Sequence, residues 1–283
     1  DLNQYPVLPW IITDYTSKDL PPLMNMEYNM ENNIIRPFGT PMGMLEITED
    51  AKSRKENYID HWKSNEQDKE KEENYDRYRS HYSTSLYITY YLVRIFPYST
   101  LRIELQGKNF DDPNRLFTSV KNSFKSAMSQ KSDVRELIPE FFYLPEMYMN
   151  LNDLDMGIKD DGVKVNDVVT PCQNNPFEFT LILRNILEND TISYNINYWI
   201  DLIFGCKNKG KEAELANNVF TDTSYQEGVD LKKVENRDLC LRYAEFGLIP
   251  TQVLSKECDK KLKIEEKLKG KEITNPKAKL NIS

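Results

Sequence analysis

WIDLIFGCKNKGKEA, running from Trp199 to Ala213, admits two incompatible readings. Gly205 to Lys211, followed by Glu212, fits the phosphate-loop pattern G-x-x-x-x-G-K-[ST] at every position but the last. Such a loop works because glycine amides cradle phosphates, the lysine meets the outer phosphates and a hydroxyl holds magnesium. Glu212 puts a carboxylate where that hydroxyl belongs. A phosphate loop also follows a buried parallel strand, whereas Asn195, Asn197 and Asp201 interrupt the preceding apolar run at helical spacing. The favoured reading is therefore a helix through SYNINYWIDLIFG that ends at Gly205, a loop, and a further helix at KEAELANN. A nucleotide-binding enzyme using Gly205 to Lys211 stands as the rival.

The flanking chain extends the helical pattern. Asn175 followed by Pro176 opens a helix over FEFTLILRNIL, and a helix at RDLCLRYAEFG is capped by Asn236 and closed by Gly247 and Pro250. Upstream, Ser83 or Ser85 caps a helix that runs through YLVRIF to Pro97. LRIEL, residues 101 to 105 before Gly107, is a short strand candidate. Asp112 as cap and Pro113 at the first helical position predict a helix with Leu116, Val120, Phe124 and Met128 on its buried face. The aromatic segment SDVRELIPEFFYLPEMYMN is too proline-interrupted for one helix and too apolar for water, which predicts buried irregular chain. Asp161-Gly162, between Ile158 and Val163, predicts a hairpin.

Two stretches are dominated by charge. Residues 49 to 79 carry 10 acidic and 8 basic side chains with Tyr58, Trp62 and Tyr75 as apolar anchors, the pattern of a solvated helix or a loop. From Leu254 onward 9 Lys face 5 acids, a balance of +4. The lysines alternate with Glu and Asp, as in a solvated linker or short helix, with lipid contact through this Lys-rich tail as an alternative.

The whole chain has 283 residues with 37 basic against 45 acidic side chains, a net charge of -8, which argues against a nucleic-acid partner. Cys172, Cys206, Cys240 and Cys258 lie far apart, and the start DLNQYPVLPW lacks a basic, then apolar, leader, so reduced thiols in the cytosol are expected. The longest apolar run, Leu86 to Phe96, is too short to span a bilayer. The sequons at Asn189 and Asn281 carry no weight without a secretory signal. His61 and His81 are the only histidines, and no C-x-x-C or paired-His spacing builds a metal site. His81 near Ser83 lacks a nucleophile elbow and reads as a buried histidine hydrogen-bonded to backbone. Asp153-Leu-Asp155-Met-Gly157 misplaces the glycine of a calcium loop and reads as a turn. No catalytic, cofactor or metal residue is assigned.

Several strings together resemble a BEACH domain, the module named for beige and Chediak-Higashi proteins. They are NQYPVLPWIITDYTS from Asn3 to Ser17, RPFGTPMGML, SHYSTSLYITYYLVRIFPYSTLRIELQGKNFDDPNRLF, SDVRELIPEFFYLPEMYMN, DMGIKDDGVKVNDVVTP, WIDLIFGCKNKGKEA and AEFGLIPTQVL. The likeness runs nearly end to end, with order and spacing kept. It implies a mainly α single domain at 1–253, with helices around a core of extended irregular segments and one or two short strands or hairpins. Residues 254–283 follow as a charged tail. It further implies a non-enzymatic scaffold module without cofactor, part of a much larger peripheral-membrane protein of vesicle traffic, lysosome-related organelles or autophagy. Its expected neighbours are a PH-like domain upstream, on which it docks, and a WD-repeat propeller downstream. Its expected place is the cytoplasm, at intracellular membranes. Arg79, Cys172, Asn197 and Asn217 stand where the family usually has Gly, Trp, His and His, and these departures bear on surface partners more than on the fold.

Overall fold

The computed structural model describes residues 2–16, 34–65, 78, 80–130, 132–221, 224–225, 238, 243 and 246–262. Helices lie in the order α1 (Glu49–Asn65), α2 (Ser85–Tyr91), α3 (Tyr98–Leu105), α4 (Val120–Ser129), α5 (Pro171–Asn174), α6 (Pro176–Glu188), α7 (Asp190–Asn195), α8 (Asn197–Ile203) and α9 (Gly210–Leu215). Strand pairing among the described residues is confined to single bridges, such as Leu8 with Leu137 and Ile12 with Ile35. The mainly α architecture expected from the sequence is present, and the extended segments pass through the middle of it.

Those segments are apolar enough to be buried yet lack a sheet to satisfy their backbone groups. Two devices solve this. The first is aromatic packing, which needs no backbone pairing. Trp10, fully buried, stands edge-on to Tyr15, Phe124 and Phe141, and Phe141 continues through Tyr148 to Phe179 with ring centroids 5.7 and 5.6 Å apart. Such pairs add about 0.5–1.5 kcal/mol each beyond area burial. The second is buried arginine, whose guanidinium offers five donors. Arg54 donates to the carbonyls of Met42, Ala127 and Asp133, and Arg94 to those of Phe117 and Asn166. Carbonyls at the end of α4, in the Met42–Met44 turn and in the extended chain at Phe117, Asp133 and Asn166 are thereby satisfied.

SDVRELIPEFFYLPEMYMN forms the expected buried irregular chain, tightened into single 3-10 turns at Pro139–Phe142 and Pro145–Tyr148. Asn175 caps α6 as expected, its side chain accepting from the Glu178 amide. The Asp161-Gly162 hairpin exists as one bridge, Ile158 to Lys164, with Ile158 and Val163 exposed. Gly247, at φ +85°, donates its amide to the Tyr243 carbonyl as a helix-closing glycine does. Most of the helix read at RDLCLRYAEFG, with Asn236 and Cys240, lies outside the described residues, as do Tyr75, Arg79, Asn281 and the Trp62 side chain.

Four local readings are corrected and a fifth is refined. LRIEL is the body of α3, and its buried residue is Arg102, held by Asp111 and the Leu86 carbonyl, while Leu105 is exposed. The alternation of apolar residues was misleading because an arginine takes the inner face. The helix started at Asp112 is only a turn, Pro113–Arg115, and α4 begins at Val120 under the cap Ser119. Pairing of Thr118 and Val120 with Val169 consumes the intervening backbone groups, and Leu116 joins Val93, Met156 and Val165 in a satellite cluster. Thr84, not Ser83 or Ser85, caps α2, which ends at Tyr91 well before Pro97. SYNINYWIDLIFG is broken at Ile196 into α7 and α8. Finally, α1 is a helix with a solvated outer face and Tyr58 as its anchor, as its charge pattern implies, but its inner face also takes a charged residue: Ala51, Arg54 and Tyr58, spaced three and four, are buried against α4 and the Met42–Met44 turn.

Candidate functional site

The Gly205 to Lys211 segment follows α8, a helix; Lys209 and Lys211 are exposed, while the polar groups nearest α8 bond back into the protein. The Lys207 amide donates to the Asp201 carbonyl and the Asn208 amide to that of Gly205. The Asn208 side chain, buried, donates to the carbonyls of Ile203 and Pro250. Gly205 is needed for close approach, since a Cβ there would lie 2.6 Å from Asp201 Cα. Gly210 sits at φ +71°, where glycine is least strained, and starts α9. The signature is a helix, a glycine-closed loop and a second helix; the strand a phosphate loop requires is absent from it.

Trp199, at the head of the signature, explains why that segment is fixed to the rest of the chain. Its Nε1 donates to Glu136 Oε1 at 3.0 Å. Glu136 Oε2 accepts from the Trp10 amide at 3.1 Å and from Arg36 Nη1 at 2.7 Å. Trp10 Nε1 reaches the Arg135 carbonyl. Four segments distant in sequence thus meet at one carboxylate shielded from water. Burial holds the Glu136 carboxyl above its ordinary range, against the opposing pull of Arg36 and the two tryptophan donors. Both carboxylate oxygens of Glu136 are engaged in holding the fold.

His81 is buried, stacked on Phe220 with ring centroids 4.2 Å apart. The expected hydrogen bond from its side chain to backbone is not formed. Among the described residues neither ring nitrogen has a partner, and it is the main-chain amide that donates to the Phe246 carbonyl. Gly247 lets the chain pass so closely that a Cβ there would stand 2.8 Å from His81 Cβ, leaving no room for an acceptor on that side. Burial lowers the imidazole pKa to about 3, so the ring is neutral in ordinary conditions.

Cys206 and Cys258 are free thiols. Partial burial and then the Asp201 charge push Cys206 and Cys258 upward, the opposite of an activated nucleophile. Among the described residues no cluster of His, Cys, Asp and Glu has metal-site geometry, and no helix is long and apolar enough to cross a membrane. The family departures have structural posts. Asn217 takes φ +53°, which Asn tolerates, and its carbonyl accepts from Tyr78. Asn197 donates to the Cys258 carbonyl, and Cys172 is buried at φ 62°.

Two features were missed in the sequence. Residues 253–261 lie along α7 and α8: Val253 and Leu254 donate to the Phe204 carbonyl, Cys258 to Asp201 Oδ1, and Lys260 and Lys261 sit over Tyr198 and Tyr194. A recess of about 380 Å³ opens between α2, α3 and α4. It is assembled from four stretches, and only the arginine in SDVREL, an unusual residue in a buried segment, could have pointed to it.

Comparison with known proteins agrees with the strings. The family model for the Beige/BEACH domain matches residues 1–261. BEACH domain-containing protein lvsD of Dictyostelium discoideum is 37% identical over 261 residues, covering 89% of this chain and 8% of the relative. WD repeat- and FYVE domain-containing protein 4 of Homo sapiens is 36% identical over 284 residues, 98% of this chain and 8% of the relative. Beige protein homolog 1 of Schizosaccharomyces pombe is 37% identical over 265 residues, 90% of this chain and 10% of the relative. The chain spans a tenth or less of the length of these relatives. With the signature strings in order, the aromatic core of extended segments and a match over nearly its full length, the chain belongs to the Beige/BEACH domain family.

Proposed function

We propose that the chain is a non-enzymatic protein-interaction module of a large trafficking scaffold, docking on an adjacent PH-like domain at the cytoplasmic face of intracellular membranes. Vesicle traffic, lysosome-related organelles and autophagy are the processes in view. The module is one domain over 1–253, with residues 254–261 as a strap laid on α7 and α8. The observation that carries the reading is the fate of the signature: Trp199, Asp201, Gly205 and Asn208 are spent on internal bonds that fix four segments together. A surface is thereby held rigid, and no reacting group is presented. Support comes also from the relatives, whose names speak of BEACH, WD-repeat and FYVE domains and of which a chain this size is a small part.

Calorimetric titration of the chain with a separately expressed PH-like domain tests the proposal. Binding at micromolar affinity or tighter, about -8 kcal/mol or better, is expected. Absence of heat at several temperatures, together with separate elution on a sizing column, would sink it. The rival nucleotide reading predicts that magnesium-ATP raises the melting temperature through Lys211, because a ligand that binds only the folded state stabilises it. No such rise is expected, in the chain or in Lys211→Ala.

A further inference from the structure

The recess between α2, α3 and α4 is lined by Tyr87 and Tyr90 of α2, Arg102 of α3 and Gln106 just after it, Arg115 and Asn122, with Arg135 also in its wall. Arg135 is about nine-tenths buried, and its position is fixed twice. Its Nε and Nη2 are taken by the Asp133 carboxylate, and its guanidinium lies over the rings of Tyr87 and Tyr90, 4.6 and 4.7 Å from their centroids. Among the described residues nothing accepts from Nη1. A guanidinium held on one edge, with donor capacity left on the other, is a preorganised receptor for a second carboxylate. Arg102 is committed to Asp111 and the Leu86 carbonyl, whereas Arg115 is largely exposed, with Nη1 3.6 Å from Asp111. Three arginines against Asp111 and Asp133 leave one net positive charge, on a chain whose overall charge is -8.

The rest of the lining suits a peptide. The side-chain amides of Gln106 and Asn122 have no partner among the described residues, and a primary amide can donate to and accept from an extended backbone together. A membrane is a poorer fit. No lysine lines the recess, Asp111 stands within it, and a chain of charge -8 is repelled by an anionic bilayer.

We propose that this recess receives an aspartate or glutamate carried by an extended segment of a partner protein, with Arg135 and Arg115 meeting the carboxylate and Gln106 and Asn122 the flanking backbone. The proposal deepens the interaction-module reading and rests on it.

The test selects a phage-displayed library of random octapeptides on the whole chain. Enriched sequences are expected to share an acidic position, and the synthetic peptide should bind saturably by fluorescence anisotropy. Its affinity should fall about tenfold or more when the acid becomes its amide, and likewise in Arg115→Glu. Arg115 is a surface residue, so that variant should melt like the parent; Gln106→Ala, expected to weaken binding a few-fold, gives a second reading should it not. Absence of an acidic consensus, unchanged affinity in Arg115→Glu, or no selected peptide at all would overturn the proposal. So would Arg115-dependent sedimentation with phosphatidylserine-containing phosphatidylcholine vesicles in place of peptide binding. Peptides that bind independently of Arg115 would overturn the recess while leaving the interaction module standing.

Discussion

Glu136 holds Arg36, the amide of Trp10 and the indole of Trp199 at once, so replacing one member strands the others away from water. Arg36→Met is expected to lower the free energy of unfolding by about 3–5 kcal/mol, the cost of leaving a buried charge without its partner. Urea denaturation measures it, and a loss below about 1 kcal/mol would show that the centre is not shielded as described. His81 gives a pH dependence of the opposite chemical origin. Its folded-state pKa is depressed to about 3 from an ordinary 6.5, so the unfolded chain takes up a proton that the folded chain refuses. Stability from this group is therefore whole above pH 6.5 and falls as the pH drops toward 3, by at most about 1.4 kcal/mol per pH unit. Melting temperatures between pH 7 and 5 should fall in the parent and flatten in His81→Phe, which keeps the stacking on Phe220. Equal slopes in both proteins would exclude this origin.

At the scale of elements, the glycine after α8 is the point where local sequence and packing constrain each other most tightly. The close neighbour of a Gly205 Cβ is backbone, Asp201 Cα at 2.6 Å, which cannot swing aside. Gly205→Ala should thus cost about 1–3 kcal/mol, read as a lowered urea midpoint, while Gly162→Ala in an open turn meets no atom and bears only the strain of its positive φ. An unchanged midpoint in Gly205→Ala would contradict the close approach. Elements announced by their ends were legible: α6 from Asn175-Pro176, and the segment around Phe141 from its prolines. Elements whose inner face is an arginine were not. Arg54 and Arg102 look like solvent residues in any hydrophobicity pattern, and only the main-chain carbonyls they satisfy on other elements, which no local window contains, make them core.

Across the whole molecule, the family strings foretold the architecture because they preserve the aromatic anchors and the order of segments, yet the recess stayed invisible. Its walls come from residues 86 to 135, and what makes it a site is one unclaimed guanidinium nitrogen, a property of side-chain geometry. The C-terminal strap was equally hidden. Its lysines are exposed, as their alternation with acids implies, yet Lys260 and Lys261 lie over Tyr198 and Tyr194 and the Cys258 amide donates to Asp201. If the strap is an accessory to a domain that closes by residue 253, a chain of residues 1–253 must fold, and fold less stably. It loses the bonds of the Leu254 and Cys258 amides and that of Asn197 to the Cys258 carbonyl, each worth about 0.5–1.5 kcal/mol, and two exposed cation contacts of lesser value. At about 2–4 °C per kcal/mol for a chain near this size, the melting temperature should drop by a few degrees with cooperativity intact. A chain of residues 1–262 should regain the parent value. An unfolded 1–253 chain would move the boundary of the domain beyond the strap, and an unchanged melting temperature would mean that these contacts contribute nothing in solution.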